Sequence, residues 1–89
     1  MREFEYSDHL KIILKKLYKK DKVKYEAIIK KVVEIVNSPD PNHYKNLRYD
    51  MKDCKSVHIG HFVLVFTFIR EENKIKFVDF DHHDNIYNK

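Results

Sequence analysis

The stretch KDCKSVHIGHFVLVFTFIREENKIKFVDF, residues 52–80, contains one segment that ends with the alternating Val57 and Ile59 and two segments rich in β-branched and aromatic residues. The sole glycine of the chain, Gly60, separates the first segment from the second, and the polar run Glu71-Glu72-Asn73 separates the second from the third. Apolar segments of this length, bounded by turn residues, are typical of β-strands. The sequence therefore predicts an antiparallel meander with strands over 52–59, 61–70 and 74–80.

Side-chain alternation assigns two faces to this meander. In the first strand, Val57 and Ile59 share one face, and His58 shares the other with Cys54 and Ser56. An apolar layer should cover the first of these faces, which leaves His58 on an open face.

The other two strands extend the same pattern. The second is apolar on both faces, so we expect it to lie at the centre of the sheet. In the third, strict alternation places Ile75 and Phe77 on one side, and Val78 and Phe80 on the other.

The first half of the chain supplies the covering layer. Glu3-Phe-Glu-Tyr6 alternates charged and aromatic residues, which predicts a short first strand. Ser7 or Asp8 should cap one amphipathic helix, and Asp21 should cap a second that ends before Asn37-Ser-Pro-Asp-Pro41. The predicted buried stripes are Leu10, Ile13, Leu14, Leu17 and Tyr18 in the first helix, and Tyr25, Ile28, Ile29, Val32, Val33 and Val36 in the second.

Together these elements predict a two-layer α+β fold. An N-terminal strand and an antiparallel helical hairpin pack on a small, mainly antiparallel sheet, and Leu47 packs under that sheet. With 89 residues the chain is expected to form a single domain over 1–89.

Composition narrows the class of protein. The formal net charge is +4, and nine lysines fall between Lys11 and Lys31 against two acidic residues, which permits an anionic partner. The single cysteine, Cys54, excludes an intrachain disulfide and a zinc ribbon. The sequence has no signal peptide pattern and no apolar run long enough to span a membrane, so a cytoplasmic location without membrane association is expected.

Polar side chains of the second half could carry out metal-independent RNA cleavage. Such a reaction needs a base for the ribose 2′-OH, an acid for the leaving 5′ oxygen, and cations that bind the phosphate. Histidine suits the first two roles, and lysine and arginine the third. The candidates are His58, His61, His82, His83, Lys55, Lys52, Arg48 and Tyr87.

Two other interpretations stay open. His82, His83 and the carboxylates Asp79, Asp81 and Asp84 could bind a metal, although adjacent histidines on a strand point to opposite faces. Alternatively, the histidines are ordinary surface residues and Tyr87 is a core anchor.

The order of elements, the string Lys55-Ser-Val-His-Ile-Gly-His-Phe-Val-Leu-Val-Phe66 and the tail His82-His-Asp-Asn-Ile-Tyr87 resemble the RelE/ParE toxin superfamily. The resemblance covers almost the whole chain in layout. Its more specific parts are Gly60, Phe62 and Phe66, and the closing histidine, aspartate and tyrosine.

The resemblance implies a toxin of a type II toxin–antitoxin pair, and its histidines are similar to those of the YafQ-like and YoeB-like branches. It implies ribosome-dependent mRNA cleavage without a cofactor or metal, which inhibits translation. His83 would be the general acid and His58, or else His61, the base. Tyr87 would orient the site or stack on a base, and Lys55, Lys52 and Arg48 would bind RNA phosphates.

The implied partners are a small antitoxin, the ribosome and mRNA. The free toxin is expected to be a monomer that forms hetero-oligomers with its antitoxin, and the lysine-rich helices could contact ribosomal RNA. Two departures from the family pattern are Val63, where an arginine is usual, and Leu47-Arg48-Tyr49, which lacks a glycine. The missing arginine favours an alternative function: a ParE-like topoisomerase inhibitor, or a degenerate toxin that only binds its antitoxin.

Overall fold

The computed structural model describes residues 2–48 and 51–87, and the side chains of residues 48 and 51–53 lie outside that description. The described elements, in chain order, are β1 (Glu3–Tyr6), α1 (Asp8–Lys20), α2 (Lys22–Val36), β2 (Asn46–Arg48), β3 (Met51–Ile59), β4 (Phe62–Ile69), β5 (Lys74–His82) and α3 (His83–Tyr87). Short 3₁₀ turns at Pro41–His43 and Arg70–Glu72 join α2 to β2 and β4 to β5.

These strands form one mixed sheet in the order β1-β5-β4-β3-β2. β1 pairs with β5 in parallel, and every other neighbouring pair is antiparallel. The predicted α+β class and the central position of β4 are therefore confirmed. β2 was not predicted, because its three residues show no apolar alternation and depend on pairing with β3, where Asn46 lies opposite Lys55.

The two long helices form the predicted hairpin, and their caps are the predicted residues. Ser7 Oγ accepts a hydrogen bond from the amide of Leu10 at 3.0 Å, and Asp21 Oδ1 accepts one from the amide of Lys24 at 3.1 Å. Asp21 ends α1 and begins α2. A connection of one residue brings the helices back antiparallel against the same face of the sheet.

The main hydrophobic core lies between this hairpin and the sheet. Its buried residues are Leu10, Leu14, Ile28, Val32, Ile35, Val36, Leu64, Phe66, Ile75, Phe77 and Phe80. Each such side chain contributes roughly 1.5–3 kcal/mol relative to an exposed one. Val57 and Ile59 also pack against this core, as predicted. The predicted stripes were wrong at Tyr18 and Val33, which are exposed, and they omitted Ile35, which is fully buried.

A β-bulge in β5 changes which residues face the helices. Val65 lies opposite Asp79 while Phe66 lies opposite Phe77, so Val78 is an extra residue in β5. Phe80 is consequently in the same core as Phe77. The prediction that Phe80 shares a face with Val78 was wrong, because alternation along the sequence does not reveal the extra residue.

The opposite face of the sheet carries a smaller hydrophobic cluster. Val63, Val65 and Ile86 are its buried residues, and Leu47, Cys54, Val78 and Tyr87 pack around them. Leu47 thus lies against the sheet, as expected, on the side away from the hairpin. The helix α3, which was not predicted, covers part of this face and leaves His58 exposed.

Turn positions in the meander adopt left-handed backbone conformations. Gly60 has φ of 62° between β3 and β4, and Asn73 has φ of 50° before β5. Glycine and asparagine tolerate this region better than other residues do. Among the described residues, no helix is long and apolar enough to cross a membrane.

Candidate active site

Three aromatic side chains from separate parts of the sequence meet on the open face of the sheet. The ring centroid of His58 lies 5.8 Å from that of His83 and 6.4 Å from that of Tyr87, with the planes within 30° in each pair. The rings of His83 and Tyr87 are 4.8 Å apart. β3 contributes the first residue and α3 the other two, so the site requires these elements to pack together.

The position of α3 is fixed by contacts at both of its ends. The amide of His83 donates a hydrogen bond to the carbonyl of His61 at 2.9 Å. At the other end, the hydroxyl groups of Ser56 and Tyr87 lie 3.3 Å apart. Ile86 is buried against Val63 and Val65. Five residues make a helix too short to be stable alone, so these tertiary contacts hold it.

A carboxylate contacts the histidine that begins α3. Asp84 Oδ1 lies 3.3 Å from Nδ1 of His83, and Asp84 Oδ2 lies 3.7 Å from Nδ1 of His82. A carboxylate on one ring nitrogen orients an imidazole. Nε2 of His83 is then the nitrogen that can face a substrate.

His61 belongs to a different pair of rings. Its ring lies 6.4 Å from that of His82, whose ring in turn packs edge-on against Phe62 at 5.5 Å. The backbone of His61 supports α3, but its side chain is paired with His82 rather than with His58. Of the two predicted candidates for the base, His58 is therefore the one that lies beside His83.

Lys55 lies on the other side of β3. In the register of β3 with β4, Lys55 lies opposite Phe66, a core residue beneath the hairpin. The ammonium group of Lys55 donates a hydrogen bond to Asn46 Oδ1 at 2.7 Å. This geometry does not bring Lys55 to His58. The other predicted phosphate ligands, Arg48 and Lys52, have side chains that lie outside the described residues.

Val63 occupies a buried position beneath α3. Its side chain is fully buried next to Val65 and Ile86, and it lies opposite His58 in the β3–β4 pairing. An arginine, which the family resemblance leads one to expect there, would project toward the histidine pair. In this chain the position strengthens the hydrophobic support of α3 and supplies no charge.

The metal hypothesis gains no support from the described part of the chain. Among the side chains that the structure describes, no three histidine, cysteine or acidic residues are grouped as metal ligands. Nδ1 of His82 instead accepts a hydrogen bond from the amide of Asp84 at 3.1 Å.

Two residues that contact the site were not predicted as catalytic or RNA-binding residues: Ser56, and Asp84, which was considered only as a metal ligand and as part of the closing motif. Ser56 is buried and its hydroxyl contacts Tyr87, and Asp84 contacts His83. The available signal for Ser56 was its alternation with His58 on one face of β3. For Asp84 it was a carboxylate directly after a candidate histidine.

Comparison with known proteins identifies the family of this chain. Residues 5–87 match the family model described as the ParE toxin of the type II toxin–antitoxin system parDE. A protein of Methanocaldococcus jannaschii named as a candidate toxin, RelE4, is 53% identical over 90 residues, covering 100% of this chain and 94% of its own. An uncharacterized protein of Methanosarcina mazei is 47% identical over 73 residues, covering 81% of this chain and 83% of its own.

Solved structures share the fold at lower identity. The isolated RelE toxin of Escherichia coli superposes with a TM-score of 0.70 and 21% identity, over 92% of this chain and 84% of that chain. The conserved protein HP0892 of Helicobacter pylori superposes with a TM-score of 0.53 and 25% identity, over 97% of this chain and 99% of that one. The chain belongs to the RelE/ParE superfamily of type II toxin–antitoxin toxins.

Proposed function

We propose that this toxin is a metal-independent endoribonuclease that cleaves mRNA on the ribosome and so inhibits translation. The observation that carries this proposal is the pairing of His58 with His83. Their ring centroids are 5.8 Å apart, about two hydrogen-bond lengths of ~2.6–3.2 Å. The ring planes are inclined by 30°, and we propose that one phosphodiester contacts a nitrogen of each ring.

The reaction follows from this arrangement. His58 takes the proton from the ribose 2′-OH, and the 2′ oxygen attacks the adjacent phosphorus. The bond from phosphorus to the 5′ oxygen breaks, and His83 gives that oxygen a proton. The products are a 2′,3′-cyclic phosphate and a free 5′-hydroxyl. Asp84, 3.3 Å from Nδ1 of His83, orients the imidazole that donates the proton.

Tyr87 completes the site in two ways. Its ring packs against both His58 and His83, and its hydroxyl contacts Ser56. Tyr87 therefore positions both histidine rings, and its own ring can contact a nucleobase next to the cleaved bond. Arg48 and Lys52 are the proposed phosphate ligands, because Lys55 lies on the opposite face of β3.

A small antitoxin is the proposed regulatory partner. The structure of Escherichia coli RelE has been solved in the intact complex with its antitoxin RelB. This chain superposes on that structure with a TM-score of 0.70, over 92% of this chain and 96% of that one. We propose that the free toxin is a single-domain cytoplasmic monomer and that it is neutralised by forming a hetero-oligomer with its antitoxin.

Induced expression tests the nuclease directly. Wild type, His58→Ala and His83→Ala are expressed in parallel, with growth and mRNA 5′ ends measured together. Wild type should arrest growth and create new mRNA ends. Each substitution should lower the cleavage rate by roughly 10²–10⁴-fold, which is the usual contribution of a general acid or base.

His43→Ala is the matched control, because His43 is exposed in the turn before β2 and packs against Tyr44, away from the site. This variant should cleave as wild type does. Growth arrest with intact mRNA would contradict the nuclease. Unchanged cleavage in folded His58→Ala and His83→Ala would contradict the assigned residues.

One observation favours a second function, a toxin that binds without cleaving RNA. The position of the family arginine is a valine whose side chain is fully buried beneath α3. A site without that cation stabilises a phosphorane transition state less well. A ParE-like topoisomerase inhibitor would arrest growth with intact mRNA and with accumulated DNA breaks, and a degenerate toxin would not arrest growth.

A further inference from the structure

A small aromatic cavity lies in the helical hairpin, where α1 ends and α2 begins. It has a volume of about 440 Å³ and is lined by Leu14, Lys15, Tyr18, Lys19 and Tyr25. Tyr18 was expected in the core, but its side chain is 53% exposed. A large aromatic side chain left in solvent beside a cavity suggests that the surface accepts a ligand.

The two tyrosines form the walls of a right-angled corner. The ring centroids of Tyr18 and Tyr25 are 5.2 Å apart, and the ring planes meet at 78°. Buried Leu14 lies beside them and makes the interior of the corner apolar. A flat heterocycle can stack on one ring and meet the other with its edge, which is the preferred geometry for both kinds of aromatic contact.

Cations surround the corner. Lys15 and Lys19 line it, and the ammonium group of Lys22 lies 5.0 Å from the centroid of Tyr18. The nearby carboxylate of Asp21 is 3.8 Å from Lys24, so it is already paired with another lysine. The rim is therefore strongly positive around an apolar and aromatic interior, which is the combination used to bind single-stranded nucleic acid.

We propose that this corner binds one unpaired nucleobase of an RNA strand, with the flanking phosphates held by Lys15, Lys19 and Lys22. The hairpin covers the face of the sheet opposite to the one that carries His58 and His83. The corner is thus a second RNA contact, away from the bond that is cleaved. The inference rests on RNA as the partner in the proposed function, but it does not depend on catalysis.

Fluorescence anisotropy with a labelled, fully 2′-O-methylated single-stranded RNA oligomer tests the proposal. This probe lacks the attacking hydroxyl, so a cleavage defect cannot disturb the binding measurement. Tyr18→Ala should weaken binding by roughly ten-fold, because stacking on one aromatic ring contributes about that much. Tyr18→Phe should bind as wild type does, because it keeps the ring.

The lysines should show a separate signature. Lys15→Ala/Lys19→Ala should weaken binding and lower the slope of log affinity against log salt by about 1.4, at ~0.7 for each phosphate contact on a single strand. Tyr18→Ala should leave that slope unchanged. Ile12→Ala is the matched control for the tyrosine, because Ile12 is also exposed on α1 but does not line the corner.

The possible outcomes separate clearly. RNA binding that depends on Tyr18, in a protein whose His83→Ala variant also binds, supports the corner whether or not the chain proves to be a nuclease. Equal binding by Tyr18→Ala and Ile12→Ala overturns it. If polyglutamate binds with the same dependence on Tyr18, the corner is a site for acidic peptides and the proposal is wrong.

Discussion

Tyr87 and Ser56 hold the last helix on the sheet through a contact between their hydroxyl groups at 3.3 Å. One residue lies in a buried position of β3, and the other ends α3 beside both site histidines. The contact links the stability of the C-terminal helix to the geometry of the candidate active site.

Removing either hydroxyl should therefore destabilise the protein and loosen the site. We expect Ser56→Ala and Tyr87→Phe each to lower the free energy of unfolding by about 1 kcal/mol, measured by urea denaturation. Because the residues share one contact, the double variant should lose less than the sum. Strict additivity would contradict the pairing. Tyr18→Phe, at an exposed tyrosine, is the control.

Placing at position 63 the arginine that the family resemblance leads one to expect should damage the protein rather than improve it. Val63 is fully buried between β4 and α3, so Val63→Arg would bury a charge or displace the helix. The expected cost is at least ~3 kcal/mol in the free energy of unfolding. Val23→Arg, at a side chain that is 80% exposed, should change stability little. A stable and more active Val63→Arg variant would show that α3 tolerates displacement.

The bulge at Val78 leads us to expect that Phe80 contributes to stability as a residue of the main core. Since the bulge turns Phe80 into the main core, Phe80→Ala should cost about 3–5 kcal/mol, as large-to-small core substitutions do. Phe4→Ala, at a residue 39% exposed on the edge strand, is the control and should cost clearly less. Similar losses from the two variants in thermal denaturation would argue against the observed register.

Arg2 ties the N-terminus to the end of α2. Its guanidinium group donates to the carbonyls of Val36, Ser38 and Pro39, and to the side chain of Asn73 at 3.0 Å. Lysine keeps the charge but cannot make this planar set of bonds. Arg2→Lys should lose about 1–2 kcal/mol in a urea titration. Arg70→Lys, at an exposed position, should match wild type, and equal losses would contradict the role of Arg2.

The ion pair that joins β1 to β5 should make stability depend on pH. Lys74 donates a hydrogen bond to Glu5 across 2.9 Å, which holds the pKa of the Glu5 carboxyl below its usual range and raises that of Lys74. A carboxyl with a lowered folded pKa contributes stability above its unfolded pKa of ~4.3 and loses it as the pH falls through the folded value.

Glu5→Gln should therefore be less stable than wild type at pH 7, and the two should converge in acid. Thermal denaturation from pH 7 down to pH 2 measures the difference. Glu26→Gln is the control, because Glu26 is exposed on α2, away from this ion pair. A difference between Glu5→Gln and wild type that persists at pH 2 would contradict this origin.

Local patterns were sufficient for most of the framework. The helix caps at Ser7 and Asp21 and the turn at Gly60 depend on a few neighbouring residues, so they could be predicted from the sequence. The exposure of Tyr18 could not be predicted in this way. The helical repeat identifies an apolar stripe, but it does not show how far along the helix the sheet covers that stripe.

The candidate site also contains features that the sequence predicted and features that only the structure shows. His58 and His83 were selected from their residue type and the family resemblance, and the fold brings them together. The opposite face of Lys55 follows from the same alternation along β3 that places His58 on the open face. The separation of His61 from that pair could not be predicted, because it depends on the turn after β3.

The sequence by itself determined the α+β class, the helical hairpin, the meander and the open face of His58, because side-chain periodicity and capping act over a few residues. Only the tertiary structure decided the bulge at Val78, the helix α3 and the contact of Ser56 with Tyr87. These features depend on the register between strands and on packing across the sheet. Their free energy comes from residues far apart in the chain, so no local pattern encodes them.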